Sequence, residues 1–213
     1  MRIDPRSDAL IVVDLQHDFL PGGALAVACG DAIVEPIARL APRFPVVVAT
    51  QDWHPPGHVS FASAHAGGAP YSVTALPQGA QELWPDHCVQ GSRGAALHPD
   101  LPDAAVTLVL RKGTRRDVDS YSAFRENVGP DGLRPSTGLA GWLRERGVRR
   151  VFLCGLARDF CVRASAVDAA AAGFEAIVLD DMTRAVFPER CAETSALLEA
   201  AGVRLAHGVH LEG

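Results

Sequence analysis

Short apolar runs alternate along the chain with segments that carry an apolar residue every three or four positions. The runs cover residues 9–13, 45–49, 106–110, 151–154 and 176–179, with a weaker run at 203–206. Near-continuous Val, Ile and Leu runs are typical of strands buried on both faces of a parallel sheet, and helices between them imply βαβ crossovers. The pattern therefore predicts an α/β fold with a doubly wound sheet.

Four helices are predicted from their caps and periodicity. Asp31, Ser136 and Asp159 are the candidate N-caps of the first three, and the fourth covers residues 189–201. Between residues 52 and 102 no period of 2 or 3.6 persists, and His, Pro, Gly and Ser dominate. A loop region this long in a compact domain is usually functional or disordered, and its histidines and aromatic residues favour function.

Length and charge narrow the class of protein. The 213 residues fit one domain spanning the whole chain, and no segment approaches the ~20 apolar residues of a membrane span. A net charge of −5 argues against nucleic-acid or anionic-membrane partners and favours a small molecule. The five cysteines are scattered without CxxC spacing, which argues against a disulfide framework, and we expect a cytoplasmic protein.

Polar residues with catalytic chemistry follow the predicted strands. Asp14 ends the first run, Asp52 and His54 follow the second, Lys112 follows the third, and Cys161 comes shortly after the fourth. The carboxyl ends of parallel strands meet at one edge of a sheet, where ligands bind. Lys112 is also the only lysine among 20 basic residues, which suggests a task that guanidinium cannot perform.

Cys161, Asp14 and Lys112 together supply a nucleophile, a base and a compensating charge. Near a helix N-terminus and an ammonium we expect the pKa of the Cys161 thiol to be lowered, with Asp14 taking the proton and returning it to a leaving amine. Each residue also has an ordinary alternative: Asp14 as a turn cap, Lys112 as a surface lysine, Cys161 as a core residue. The combination is what favours catalysis.

Asp52 and His54, with further histidines at His58, His65 and His87, place a carboxylate and several imidazoles within reach of one cation. A lone loop histidine is usually a surface residue, and we expect this of His65. Mixed oxygen and nitrogen ligands suit zinc, iron(II) or manganese rather than calcium.

Five stretches resemble the nicotinamidase branch of the isochorismatase-like cysteine hydrolases. They are VDLQHDFLPGGALAV, ATQDWHPPGHVSFA, WPDHCVQGS, RKGT followed by DSYSAF, and GLARDFCVRASAVDA, in family order from about residue 10 to residue 183. The resemblance implies a six-stranded parallel sheet with helices on both faces, and often a homo-oligomer.

The resemblance also implies roles for individual residues. Asp14, Lys112 and Cys161 correspond to the catalytic triad. Asp52, His54 and His87 correspond to the ligands of one divalent metal ion, with zinc expected first and iron or manganese as alternatives, while His58 matches a position that ligates metal in only some relatives. A cis peptide before Ala157 would direct the N–H groups of Ala157 and Cys161 into an oxyanion hole, and Phe19, Trp84 and Tyr121 would line the ring pocket.

The implied activity is hydrolysis of nicotinamide to nicotinate and ammonia, a step of NAD salvage, with pyrazinamide as a second substrate. A related cysteine hydrolase of a carbamoyl or ureido compound shares the triad but generally lacks the metal ligands. Isochorismate hydrolysis needs no cysteine nucleophile, and a non-enzymatic metal-binding protein would leave the meeting of thiol, carboxylate and sole lysine unexplained.

Overall fold

The computed structural model describes residues 2–206; Met1 and residues 207–213, which the expected single domain includes, lie outside the described residues. Within that range there are eight strands: β1 (Asp8–Val13), β2 (Val46–Asp52), β3 (Val73–Leu76), β4 (Gly79–Glu82), β5 (Leu108–Lys112), β6 (Arg150–Leu156), β7 (Glu175–Arg184) and β8 (Arg204–Ala206). Six of them form a parallel sheet in the order β5-β2-β1-β6-β7-β8. The predicted α/β sheet is confirmed.

The central strand β1 shows why the apolar runs form this sheet. All six of its residues are buried, and Leu10 lies opposite Val47 of β2 and Phe152 of β6. β1 is thus buried along its whole length between β2 and β6, as its continuous apolar run predicts.

The order of the strands places the site. From β1 the chain builds outward through β2 and β5, then crosses to the other side of β1 and builds through β6, β7 and β8. The direction of winding therefore reverses between β1 and β6. In doubly wound sheets the crevice at the carboxyl ends of such strands binds ligands.

The four predicted helices exist as α1 (Val34–Leu40), α2 (Leu139–Arg144), α3 (Arg163–Ala171) and α4 (Cys191–Ala200), but their predicted N-caps are wrong. Asp31 lies in a 3-10 turn before α1, and Ser136 lies three residues before α2, whose N-cap is Gly138. Asp159 lies inside a π-helical turn, Arg158–Val162, that precedes α3. Irregular turns lead into these helices, so the first polar residue is not the cap.

Two boundaries of the sheet matter for the site. The run predicted at 45–49 continues to Asp52, and the run predicted at 106–110 is displaced to Leu108–Lys112, so that Lys112 ends a strand. Between them, the loop region contains a short 3-10 turn, Ala62–Ala64, and the antiparallel β3–β4 hairpin, neither of which was predicted. Among residues 2–206, no helix reaches the length and apolar character that a membrane crossing requires.

Candidate active site

Asp14 lies directly after β1, with φ of 47° and no exposed surface. The Thr50 hydroxyl donates to Asp14 Oδ1 at 2.6 Å and accepts the backbone N–H of Asp14 at 3.1 Å. Burial raises the pKa of Asp14 and so does the nearby Asp52 carboxylate, while Lys112 and Thr50 act in the opposite direction. The net direction is upward, which suits a carboxylate that must accept a proton.

Lys112 is the centre of the cluster. Its Nζ lies 2.8 Å from Asp14 Oδ2, 2.6 Å from Asp52 Oδ1, 3.2 Å from the carbonyl oxygen of Ser120 and 3.3 Å from Cys161 Sγ. Burial acts to lower the pKa of this amine, but attraction to Asp14 and Asp52 outweighs it and holds the pKa well above its usual value. Lys112 is therefore a buried ammonium, and the reading as a surface lysine is wrong.

Cys161 lies in the π-helical turn that follows β6 and is 5% exposed. Burial raises the pKa of its thiol well above the usual value; Lys112 opposes this, and Asp14 and Asp52 reinforce it. The expected lowering is wrong for the resting arrangement, because removal from water outweighs the ammonium. The resting group is a thiol, so attack requires a base at hand, and Asp14 is the adjacent one.

Asp52, His54 and His87 form a buried group whose ligand atoms all lie within 4.8 Å of one another. The Nδ1 atoms of His54 and His87 lie 2.9 Å and 2.8 Å from the carbonyl oxygens of Gly113 and Pro85. Each Nδ1 therefore carries the proton, and the Nε2 lone pairs face Asp52 Oδ2 at 3.4 Å and 3.7 Å. Backbone carbonyls commonly orient metal-binding imidazoles in this way, so the residues fit a divalent metal ion.

His58 is stacked on His54 but has no free nitrogen. Its Nδ1 accepts from the Ser60 hydroxyl at 2.7 Å, and its Nε2 lies 3.1 Å from the carbonyl oxygen of Val118. Burial lowers the pKa of His58 to about 4, so the ring is neutral. His65 does not belong to the group of Asp52, His54 and His87 either, and its Nε2 lies 2.8 Å from the carbonyl oxygen of Val59.

Two polar side chains that the sequence did not single out form hydrogen bonds to the backbone at or beside the candidate metal ligands. The Gln16 amide donates to the carbonyl oxygen of Asp52 and accepts the N–H of Asp52, both at 2.8 Å. Asp18 accepts the N–H of Cys88, the residue after His87, at 2.7 Å. Thr50 and Gln16 could have been suspected as polar residues at the ends of apolar runs.

An apolar pocket, open on one side, adjoins these groups. Phe19, Trp84 and Tyr121 all line it, as expected, together with Ala157 and Cys161. The peptide bond between Leu156 and Ala157 is cis. The remaining lining residues, of which only Asp52 and His87 were anticipated, are Leu25, Asp52, His87, Asp119, Phe160 and Val186.

The pocket is aromatic on several sides. Trp84 meets Phe160 edge to face with centroids 4.9 Å apart, Tyr121 lies 5.5 Å from Phe160, and Phe19 lies 5.6 Å from His87. A flat aromatic ligand would find apolar walls here with a cation site and a thiol at its ends.

Comparison with known proteins agrees with this geometry. The isochorismatase domain family matches residues 8–206. Nicotinamidase of Acinetobacter baylyi is 50% identical over 178 residues, which are 84% of this chain and 81% of the relative; nicotinamidase of Escherichia coli is 44% identical over 203 residues, 92% and 93% of the two chains.

Solved structures superpose closely. The Acinetobacter baumanii nicotinamidase and pyrazinamidase has a TM-score of 0.90 at 42% identity, covering 96% of this chain and 98% of its own. PnC1 from L. infantum in complex with nicotinate has a TM-score of 0.87 at 41% identity, covering 100% of this chain and 98% of its own. Pyrazinamidase of Pyrococcus horikoshii in complex with zinc has a TM-score of 0.76 at 37% identity, covering 95% of this chain and 99% of its own. This chain therefore belongs to the isochorismatase family.

Proposed function

We propose that this protein is a metal-dependent cysteine amidohydrolase that converts nicotinamide to nicotinate and ammonia and also accepts pyrazinamide. The observation that carries the proposal is the position of Lys112 Nζ, within 3.3 Å of Asp14, Asp52 and Cys161 beside an aromatic pocket. The nicotinamidase relatives, and the nicotinate bound to the L. infantum protein, support the choice of substrate.

In this mechanism Asp14 accepts the proton of the Cys161 thiol as sulfur attacks the carboxamide carbon. Lys112 remains an ammonium and stabilises the negative charge that passes between Asp14 and sulfur. The N–H groups of Ala157 and Cys161 bind the tetrahedral oxyanion, and each such donor contributes about 3–4 kcal/mol. Asp14 then gives its proton to the departing ammonia, leaving a thioester on Cys161.

Water hydrolyses the thioester in the second half of the reaction. Asp14, ionised again, removes a proton from water as it attacks, and the Cys161 thiol is regenerated as nicotinate forms. One carboxylate serves as base and then acid in each half, which is why its raised pKa is useful.

Asp52, His54 and His87 would hold the metal ion. When bound, this ion supplies a Lewis acid at the end of the ring pocket. We propose zinc, because one carboxylate and two imidazoles are typical zinc ligands and the Pyrococcus horikoshii relative contains zinc. The proposal does not include His58, whose nitrogens are both engaged.

A substrate panel tests the proposal. Purified protein loaded with zinc is given nicotinamide, pyrazinamide and an N-carbamoyl amino acid at equal concentration, and ammonia is measured. We expect rapid release from the first two and little from the third, because the pocket walls are aromatic and apolar. Turnover of the carbamoyl compound alone would assign the site to the other branch of the family.

Three wider expectations are part of the proposal. A single domain is supported by the core cluster of residues 2–206, which includes residues of β1, β2, β6 and β7, while Leu108 and Leu110 of β5 and Leu205 of β8 pack against it. A cytoplasmic location is supported by five cysteines that are all free. Assembly into a homo-oligomer stays a prediction.

A further inference from the structure

Residues 185–187, here called the wall segment, form one side of the ring pocket without belonging to a strand or helix. They connect β7 to the turn before α4. Val186 lines the pocket, and the Phe187 ring lies 6.3 Å from Trp84 and 6.0 Å from Phe160, centroid to centroid. Because no sheet ladder fixes this segment, the position of the pocket wall must come from another contact.

That contact is the side chain of Asp159. Its Oδ1 accepts the backbone N–H of Val186 and its Oδ2 accepts the backbone N–H of Phe187, each at 2.9 Å. Asp159 is 4% exposed and lies two residues before Cys161 in the same π-helical turn. A single buried carboxylate thus joins the turn that carries the thiol to the wall that faces it.

We propose that Asp159 is a positioning residue that sets the distance between Cys161 and the wall segment, and thereby the fit of the ring. This inference rests on the proposed amidohydrolase function. Ionised carboxylates make stronger hydrogen bonds to backbone N–H groups than neutral acceptors do, and two bonds to consecutive residues fix orientation as well as distance. An amide at this position can accept from only one N–H and turns its own NH₂ group toward the other.

The first test is hydrogen–deuterium exchange, which needs no substrate. In the unchanged protein we expect slow exchange at the amides of Val186 and Phe187, and in Asp159→Asn fast exchange at these two positions with the β-sheet amides still protected. Fast exchange of both amides in the unchanged protein would overturn the inference even if the variant failed to fold.

The second test separates substrate binding from chemistry. For Asp159→Asn we expect KM for nicotinamide to rise about tenfold or more, the effect of losing one charge-assisted hydrogen bond, with a smaller change in kcat. Phe187→Ala should also raise KM, and the double variant should be little worse than Asp159→Asn, because both changes act through the same wall. Fully additive effects, or an unchanged KM in Asp159→Asn, would overturn the inference.

Asp8→Asn is the matched control. Asp8 is 1% exposed and accepts from the Asp4 N–H and the Arg150 guanidinium at the opposite end of β1. The Asp8→Asn variant loses a carboxylate that is as deeply buried as that of Asp159, so we expect its thermal stability to fall while its KM for nicotinamide is unchanged. A protein that releases no ammonia from nicotinamide yet shows the exchange pattern above would refute the proposed function alone.

Discussion

Thr50→Val is the substitution that most sharply probes the general base. Valine has nearly the shape of threonine, so the β2 strand and its packing are retained. The hydroxyl that donates to Asp14 Oδ1 at 2.6 Å and accepts the Asp14 N–H at 3.1 Å is lost. Lys112, which contacts the other carboxylate oxygen, and Cys161 are unchanged.

The size of the effect follows from the kind of hydrogen bond. A bond to a charged group contributes about 1.5–3 kcal/mol, so kcat/KM should fall about 10- to 150-fold if the bond is fully used in the transition state. The Thr50 hydroxyl also lowers the pKa of Asp14, against the effects of burial and Asp52. Its removal raises that pKa further, and since the base acts in its ionised form, the acid limb of the pH profile moves to higher pH.

The assay is ammonia release from nicotinamide across pH, for the unchanged protein, Thr50→Val and Thr107→Val. Thr107 also accepts a backbone N–H through its hydroxyl, that of Val47 at 3.1 Å, but lies away from the site. We expect a normal profile for Thr107→Val. A Thr50→Val profile that coincides with that of the unchanged protein would refute the assignment of Asp14 as the base.

Four further substitutions test the other groups. Cys161→Ala should abolish ammonia release while retaining metal content and fold, measured by elemental analysis and circular dichroism; near-normal turnover would exclude a covalent thioester. Lys112→Arg should reduce kcat at least 100-fold despite the retained charge, because a guanidinium cannot occupy a space set by contacts of 2.6–3.3 Å; full activity would make the sole lysine accidental. His87→Ala should lose bound metal on dialysis and His58→Ala should retain it, and the reverse result would reassign the ligand set.

The sequence predicted the sheet because its strands are buried on both faces. Ala9 and Leu10 of β1 are fully buried in apolar surroundings, and such strands read as uninterrupted apolar runs. The β3–β4 hairpin escaped prediction because it lies outside the main sheet, and half of its residues, Val73 among them, are exposed. No apolar period marks such a hairpin.

The site residues could be anticipated because parallel strands deliver their carboxyl ends to one edge. The sequence could not predict the hydrogen bonds between side chains and residues that are distant along the chain. Thr50 bonds to Asp14 and Gln16 bonds to Asp52 across 36 positions each, and Asp159 bonds to the wall segment instead of capping a helix. Likewise, the depth to which Cys161 is buried decides the direction of its pKa, and burial depth is a property of the folded chain.

Ammonia release from nicotinamide, measured on the purified protein before chelation, after chelation and after return of zinc, tests the central claim most directly. The account predicts rapid release that the chelator abolishes and zinc restores, because the substrate pocket, the thiol and the Asp52, His54 and His87 group adjoin one another. Absence of release from nicotinamide in the zinc-loaded protein would contradict it.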